Sequence, residues 1–426
     1  MNRSVESSAP TPPPPGPRRG YWAGVWRQFR RNRAAVVGLA CVMGLFAVAF
    51  LAPLLANRYP FVWTASDPET GRTVTSFPLV RQFFAPPEKV VPERVLEMTY
   101  NYLLLFLPCA GLVWWASSRL GAWRQGRWLL APVGVLLLLP FVLVQPRLDP
   151  TPYRRLAAQD QGQGVFPPVP YGPFEQGFGN RIPPTWWDDE SLEGARDTYH
   201  LLGTDNAGRD VFVRVIHGAR VSLAVGIVSV FIATAIGILI GATAGYFGGC
   251  VDLLLSRLIE IMICFPTFFL ILTIIAVMEQ RSILNIMLVI GVTAWTGVAR
   301  LVRGEVLKQR SLDYVTASVA LGARSSRTIF RHVLPNSLAP VFVSMTFGIA
   351  SSILLESGLS FLGFGVDIPT ASWGELLNQA REAPAVYWWL ALFPGLPIFF
   401  TVTIYNLVGE GLRDAMDPRL RMGPAA

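Results

Sequence analysis

Eight apolar windows with few charged residues constrain this chain more than any other feature of its sequence. Each is close to the roughly 20 residues that an α-helix needs to cross a bilayer. The windows are Ala34–Leu55, Tyr100–Ser117, Trp128–Val144, Val221–Gly245, Leu253–Val277, Ile283–Ala299, Leu338–Leu355 and Tyr387–Val408. Only 15% of the 426 residues are charged, whereas an ordinary soluble domain carries about 25%. The pattern predicts an all-α integral membrane protein with about eight spans.

The arginines are placed as orientation signals. A net charge of +8 is compatible with nucleic-acid binding, but basic loops of multi-span membrane proteins mark the cytoplasmic side. Basic clusters lie before the first window, between the second and third, and after the sixth, at Trp26–Arg33, at Arg119, Arg124 and Arg127, and within Arg300–Arg331. With the N-terminus inside, all three clusters are cytoplasmic. We therefore expect cytoplasmic N- and C-termini and no nucleic acid as a partner.

The windows divide the chain into five regions. These are a cytoplasmic disordered and basic tail (1–33), a first span (34–56), an external region (57–217), a main membrane domain (218–412) with a cytoplasmic loop at about 301–336, and a cytoplasmic C-terminal tail (413–426). Within the tail, Tyr21–Arg33 is either an amphipathic helix on the membrane surface or a plain basic flank of the first span. Ala34–Leu55 is longer than the apolar part of a signal peptide, so we expect it to remain as an anchor.

Two apolar windows interrupt the external region. They occupy about 100–145, are joined by an arginine-containing loop, and are predicted to cross the membrane and return as a hairpin. Both are short and contain Pro108, Pro132 and Pro140, so a re-entrant hairpin is the alternative. The Pro-, Gly- and aromatic-rich segment Val165–Trp187 predicts an extended external loop.

Residues required by several enzyme mechanisms are missing. A phosphate-binding loop needs Gly-Lys-Ser/Thr, and the lysines Lys89 and Lys308 follow Glu88 and Leu307. The three histidines form neither a His-Glu-x-x-His nor a His-x-Glu motif, and no Gly-x-Ser-x-Gly elbow is present. The four cysteines lack metal-binding spacing. We expect no enzymatic activity, no catalytic residue, no metal and no cofactor.

The cytoplasmic connection after the sixth window predicts a helix-turn-helix against the membrane. Asp313 is expected to cap a helix over Tyr314–Leu321, which Gly322 ends through a left-handed turn. A second helix, Ser325–Val333, precedes Pro335, which suits the first turn of the next span. Small residues in the first helix allow another surface to approach closely.

This connection resembles the EAA loop of the inner-membrane permeases of ABC-type peptide importers, specifically the C-type permease of the dipeptide, oligopeptide and nickel group. In that loop Glu-Ala-Ala is followed by Gly and later by Leu-Pro. The matching positions here are Thr316, Ala317, Ser318, Gly322, Leu334 and Pro335. The family's Glu is absent, so its role is not transferred. The resemblance implies that this loop, including Asp313, Arg324 and Arg327, contacts ATPase subunits.

Three further stretches resemble the same family. The external signature LGTD-x-x-GRD, followed by R-x-x-x-GAR-x-SL, is carried by Gly203, Thr204, Asp205, Gly208, Arg209, Asp210, Arg214, Gly218, Ala219, Arg220 and Ser222. The segments Gly245–Asp252 and Ser357–Gly365 are similar to connections between later spans. The hairpin at about 100–145 departs from the family's usual six-span arrangement.

The resemblance implies a type I ABC importer transmembrane fold, with six core spans plus the inserted hairpin. It implies import of peptides or peptide-like solutes across the bacterial inner membrane, coupled to ATP hydrolysis by partner subunits. The implied partners are a second homologous permease, two ATP-binding subunits, an extracytoplasmic substrate-binding protein and membrane lipid. The alternatives are an ion-coupled secondary transporter, for which inverted halves and midplane carboxylates are expected but not found, and a non-transporting membrane scaffold.

Charges near the spans are few, and each has an expected partner. Arg257 and Glu260 are three residues apart on a helix and are expected to pair. Glu356 lies at the outer end of its span. It either lines the pore entrance or pairs with an external arginine such as Arg209 or Arg220.

Small residues and prolines predict how the spans pack and bend. Gly226, Gly237, Gly241 and Gly245 give one helix a narrow face on which a neighbour can pack closely. Pro266 predicts a kink within its span.

Overall fold

The computed structural model describes residues 21–66, 72–86, 91–119, 123–144, 149, 151–177, 179–187, 199–278, 281–366 and 368–417. The helices in these residues are α1 (Tyr21–Phe29), α2 (Arg33–Leu55), α3 (Pro78–Phe84), α4 (Val91–Arg119), α5 (Trp123–Leu143), α6 (Tyr153–Ala158), α7 (Val211–Phe247), α8 (Gly249–Cys264), α9 (Thr267–Val277), α10 (Ile283–Thr293), α11 (Trp295–Arg310), α12 (Asp313–Ala320), α13 (Ser325–Thr328), α14 (Leu334–Ser337), α15 (Ala339–Phe361), α16 (Trp373–Gln379) and α17 (Trp388–Met416).

Every predicted apolar window is mostly helical, but two of them, Leu253–Val277 and Ile283–Ala299, are each divided between two helices. In the described part of the chain, six helical segments are long and apolar enough to cross a membrane, namely α2, α4, α7, α10 with α11, α15 and α17. The pair α8 and α9 is a seventh candidate, bent by 79°, and α5 carries the shorter apolar helix Trp128–Leu143. Without α4 and α5, six core spans remain, which confirms the predicted arrangement of a six-span core plus a hairpin.

The bend between α8 and α9 occurs at the predicted proline. Phe265 has extended backbone angles, φ −84° and ψ 125°, because the ring of Pro266 disfavours helical angles in the residue before it. Pro266 also has no N–H to continue the helix. The predicted kink is therefore confirmed as a complete break.

Helix α7 lies at the centre of the bundle and packs against α2, α10, α11 and α15. Gly237, Gly241 and Gly245 face α11, where a Cβ at Gly241 would lie 2.4 Å from the carbonyl oxygen of Ala299. At Gly237 a Cβ would lie 2.6 Å from the Cβ of Val298. The predicted close packing is confirmed for these three glycines, whereas Gly226 packs against Ile353 of α15.

The inserted helices pack against each other, and α4 connects them to the core. Helix α4 contacts α2, α7 and α10 as well as α5. The apolar part of α5, Trp128–Leu143, corresponds to about 24 Å of helix, shorter than the roughly 30 Å of a bilayer's hydrocarbon core. The crossing hairpin therefore stays a prediction, with the re-entrant hairpin as its alternative.

A small antiparallel sheet is the one departure from an all-α fold in the described residues. Its strands are β1 (Val62–Ser66), β2 (Thr73–Ser76) and β3 (Gln163–Val165), in the order β2-β1-β3. The sequence analysis assigned these residues to the external region and predicted no strand in it. Val and Thr favour strands, and Gly164 leaves room for the Trp63 ring, which would lie 2.7 Å from a Cβ at that position.

Helix α1 shows that this segment is helical, while its place on the membrane surface stays a prediction. Val25 and Phe29 are buried against Ala35 and Ala415, while Trp22 is 56% exposed. The start of α2 and the end of α17 therefore lie at the same end of the bundle. The expected disorder of the first twenty residues lies outside the described residues.

Candidate functional site

The turn between α12 and α13 is built on Gly322. Its φ is +79°, a left-handed conformation that glycine adopts without steric cost. The backbone N–H of Ala323 donates to the carbonyl of Ser318 at 3.1 Å, and that of Gly322 donates to the carbonyl of Val319 at 2.9 Å. These two bonds form a Schellman motif, which ends a helix by satisfying its last carbonyls. The predicted left-handed turn is confirmed.

The start of α12 differs from the prediction. The residue at the cap position is Leu312, whose extended backbone (φ −83°, ψ 148°) leads into the helix without a side-chain cap. The prediction that Asp313 caps the helix is wrong, because Asp313 is already the first helical residue. Its negative charge in the first turn interacts favourably with the positive end of the helix dipole.

The second helix continues beyond its predicted end. A π-helical segment, Ile329–Val333, joins α13 to α14, and the next span begins at Ala339 with Pro340 in its first turn. The prediction that Pro335 begins that span is wrong. Pro335 has no N–H and would crowd the carbonyl four residues earlier in a regular α-helix. The wider turn, in which the Leu334 N–H donates to Ile329, accommodates it.

Several apolar side chains of this helix-turn-helix are exposed. Leu321 is 89% exposed, Phe330 is 68% exposed and Val319 is 51% exposed. We call these three residues, with Leu312 and Tyr314, the docking face. An exposed apolar patch of this kind marks an interaction surface.

The opposite side of the helix-turn-helix is fixed to the bundle. Val315 and Val333 are buried in one cluster with Val302 and Val306 of α11. The other residues that the family resemblance assigned to ATPase contact surround the docking face. They are exposed at Asp313, Thr316, Ala317, Gly322, Arg324, Arg327 and Pro335, and half-buried at Ser318 and Leu334. The loop therefore presents a surface on a rigid support.

At the other end of the bundle, the external signature forms a buried ionic network. Asp205 Oδ1 accepts hydrogen bonds from the backbone N–H groups of Ala207 and Arg209, each at 2.9 Å. Its Oδ2 lies 2.7 Å from Arg209 Nε and 3.2 Å from Arg214 Nε. Burial, followed by the neighbouring Arg214 charge, lowers the pKa of Arg209 from its ordinary value. Arg214 also pairs with Glu375 of α16 at 2.6 Å.

Other signature residues fix the start of α7. Asp210 caps this helix by accepting from the Val213 N–H at 2.9 Å, and its second oxygen lies 2.7 Å from His200 Nδ1. The Thr204 hydroxyl donates to the carbonyl of Gly179 at 2.8 Å. These contacts hold the segment before α7 in a fixed position at the start of that helix.

Two signature glycines lie in the same segment before α7. Gly203 and Gly208 have φ of +79° and +68°. A Cβ on Gly203 would lie 2.6 Å from the carbonyl oxygen of Ile182.

Arg220 of α7 connects the core to the inserted hairpin. Its Nε donates to the carbonyl of Ala49 at 2.6 Å, a group left without its usual partner because Pro53 has no N–H. The same guanidinium pairs with Glu97 and donates to Asn101 Oδ1 at 3.0 Å, both on α4. Sequence reasoning missed Glu97 and Asn101, although a carboxylate just before the window at Tyr100 was a usable signal.

Glu356 does not behave as predicted. Its side chain is fully buried and accepts from the Ser360 hydroxyl at 2.8 Å, so it lines no opening among the described residues. The alternative, pairing with Arg209 or Arg220, is wrong because those arginines pair with Asp205 and Glu97. The predicted pair of Arg257 with Glu260 is confirmed on the helix surface.

The fold is a multi-span helical bundle with an exposed helix-turn-helix at one end and a buried ionic network at the other. Residues 237–422 match the family described as binding-protein-dependent transport system inner membrane component. Residues 20–87 match the N-terminal transmembrane domain of oligopeptide transport permease C. The chain belongs to the inner-membrane permeases of ABC peptide importers, which confirms the resemblance seen in the sequence.

Curated relatives support the same assignment. The dipeptide transport system permease protein DppC of Haemophilus influenzae is 40% identical over 257 residues, covering 59% of this chain and 84% of the relative. The di/tripeptide permease DppC of Pseudomonas aeruginosa is 41% identical, covering 59% and 82%. The glutathione permease GsiD of Pectobacterium atrosepticum is 37% identical, covering 55% and 78%.

A solved structure is also similar over part of the chain. The MetNI methionine ABC transporter in an inward-facing conformation aligns with a TM-score of 0.37 at 16% identity, covering 47% of this chain and 96% of that chain. A similarity of this size adds nothing to the family assignment.

Proposed function

We propose that this chain is the membrane-spanning permease subunit of an ATP-driven importer for peptides or peptide-like solutes. It pairs with a second homologous permease, and two ATP-binding subunits dock on its cytoplasmic helix-turn-helix. A substrate-binding protein delivers solute from outside. The relatives named for dipeptide, di/tripeptide and glutathione transport support this range of solutes.

The observation that carries the proposal is the docking face. Leu321 and Phe330 expose apolar surface that is unfavourable in water and that a partner would cover. Behind it, buried contacts of Val315 and Val333 with α11 make the element rigid enough to transmit force. A loop with a purely connecting role requires neither feature.

The proposed orientation places the docking face in the cytoplasm of a bacterial cell, in the inner membrane. Helix α1 contacts both α17 and the start of α15, through Trp22 and Phe342. Helix α1, the end of α17 and the helix-turn-helix therefore share one side, which supports the orientation inferred from the arginine clusters. The regions 57–217 and 366–387 would then face outward, apart from the hairpin.

The test is reconstitution in proteoliposomes with the subunits encoded by neighbouring genes. We expect the isolated chain neither to bind nor to hydrolyse ATP. Peptide uptake should require the ATP-binding subunits together with this chain. Stoichiometric nucleotide binding by the isolated chain would contradict the proposal, uptake driven by an ion gradient alone would indicate a secondary carrier, and absence of uptake under all conditions would indicate a scaffold.

A matched pair of variants tests the docking face within that assay. Leu321→Ser removes an exposed apolar side chain from the docking face, whereas Val386→Ser removes one from a loop at the other end of the bundle, where it is 62% exposed. We expect Leu321→Ser to weaken retention of the ATP-binding subunits and Val386→Ser to leave it unchanged. Equal retention in both variants would show that the ATPases dock elsewhere.

A further inference from the structure

Three tryptophan rings form a cluster at the end of the bundle opposite the docking face. Trp388, the first residue of α17, lies 5.0 Å from Trp187 and 6.2 Å from Trp186, measured between ring centroids. Trp186 is 52% exposed and Trp187 is 46% exposed. We call these three residues the aromatic patch. Exposed apolar surface of this kind is unfavourable in water and marks a contact surface.

Hydrogen bonds hold the two loop tryptophans in place. The backbone N–H of Thr185 donates to the carbonyl of His200 at 3.1 Å. The indole Nε1 of Trp186 donates to the carbonyl of Leu201 at 2.7 Å. His200 in turn pairs with Asp210, the residue that caps α7. The position of the rings is therefore set by the segment that leads into α7, and the exposed tryptophans are a built feature of the fold.

The position of Trp388 relates the aromatic patch to the membrane. Helix α17 is one of the described helices that are long and apolar enough to cross a bilayer, and no charged residue lies between Glu382 and Glu410. Trp388 therefore lies at the edge of an apolar span. Tryptophan is enriched at this depth, because its ring is apolar while its N–H is polar. The two loop rings contact Trp388 and so lie at the same depth.

A charged pair lies on the other side of the aromatic patch. Arg181 Nη2 lies 2.8 Å from Glu382 Oε2, and the side chain of Glu382 is 70% exposed. The Arg181 guanidinium carbon also lies 4.5 Å from the ring centroid of Tyr387, the residue before Trp388. The order is thus an apolar span, then aromatic rings, then exposed charges, which is the polarity gradient from hydrocarbon through headgroups to water. A surface made for a protein partner instead has an apolar centre inside a polar rim.

We propose that the aromatic patch is a lipid-contact site that anchors the loop before α7 in the phospholipid headgroup layer. The proposal requires that α17 crosses the membrane, and it holds for any transported solute. The anchored segment also carries the buried ionic network, because the backbone N–H of Arg181 donates to the carbonyl of Asp205 at 2.8 Å. Anchoring the loop would therefore hold that network at a fixed depth relative to the bilayer.

The experiment is photo-crosslinking of the full-length chain in vesicles of phosphatidylcholine and phosphatidylglycerol, with and without its partner subunits and the substrate-binding protein. The photoreactive residue p-benzoylphenylalanine replaces Trp186 or Trp187, and its aromatic side chain keeps an apolar ring in the aromatic patch. Two controls have comparable exposure. Phe399, in the apolar part of α17, is 62% exposed and reports contact with acyl chains, whereas Val74 of β2 is 53% exposed and lies outside the candidate spans. Adducts are identified by mass spectrometry of the irradiated chain.

We expect lipid adducts at Trp186 and Trp187 as abundant as those at Phe399, both with and without the partners, and a loss of lipid adducts at Val74. Lipid adducts at both tryptophan positions no more abundant than at Val74 would overturn the proposal. Adducts with the binding protein or the second permease in place of lipid would overturn it as well, because the aromatic patch would then be a protein interface. If the variant at Trp186 does not assemble, the variant at Trp187 makes the same comparison. Peptide uptake by the unaltered complex is measured separately, and its absence would contradict the proposed function without changing the adduct result.

Discussion

Replacing Gly322 tests whether the helix-turn-helix is the coupling element. At φ +79° an L-residue is strained by about 1–2 kcal/mol, and a β-branched residue lies at the upper end of the 1–3 kcal/mol range for such positions. A Cβ at Gly322 would meet no heavy atom within 4 Å, so steric clash adds nothing. Gly322→Val should therefore disfavour the native turn by about 2 kcal/mol, which reduces its population relative to other turns roughly thirtyfold.

The expected consequence is weaker docking of the ATP-binding subunits. When only a fraction of the chain holds the competent turn, the apparent affinity falls by that fraction. Gly322→Asn is the matched control, because asparagine is similar in size to valine but tolerates the left-handed conformation. We expect severe loss of uptake and of ATPase co-purification for the valine variant, and a mild loss for the asparagine variant. Membrane insertion and pairing with the second permease should remain in both.

Two results would each refute part of this reasoning. Normal transport by Gly322→Val with both ATPases bound would show that the loop is not the coupling element. Equal damage by asparagine and valine would show that side-chain volume matters and backbone angle does not. Arg324 and Arg327 are exposed and should each matter less than the turn, since exposed ion pairs contribute about 0–1 kcal/mol.

Two further predictions concern the inserted hairpin. In a chain whose native cysteines (Cys41, Cys109, Cys250 and Cys264) are replaced, Gln125→Cys should resist a membrane-impermeant thiol reagent added to intact cells. The reason is that the flanking arginines favour the cytoplasmic side. Rapid labelling would refute the crossing hairpin. Glu97→Gln should destabilise the chain by about 3 kcal/mol, because it leaves the buried Arg220 charge without its counter-ion. A lower melting temperature in detergent would show this, whereas Glu260→Gln, in an exposed pair, should barely change it; equal effects would refute the role given to Glu97.

The spans were predictable because a bilayer imposes one strong requirement. Every backbone polar group must be satisfied within the segment, so a long apolar run has few structures open to it. The left-handed turn at Gly322 was predictable for a similar reason, since few residues other than glycine adopt that conformation readily. Local chemistry of this kind is readable from a few consecutive residues.

Partners that are distant in the sequence were not predictable. Arg220 is 123 residues from Glu97, and nothing near either residue indicates the pairing. The start of α12 was misplaced by one position, because the extended backbone of Leu312 supplies the cap geometry that Asp313 was expected to provide. The small sheet was missed because its strands are three to five residues long and because β3 lies far from β1 and β2 in the sequence.

Helix α11 extends from the helix-turn-helix to a cavity of about 230 Å³ between α7, α9, α10, α11 and α15. Its first turns line the cavity through Gly297 and Val298, and its last turns support the helix-turn-helix through Val302 and Val306. Its 16 residues extend about 24 Å. Since α11 lies in backbone contact with α7 at Gly241, a displacement imposed at the docking face should slide α11 along α7 rather than separate the two helices, as in shear motions of packed helices. Such a slide would move Gly297 and Val298 and so change the wall of that cavity directly.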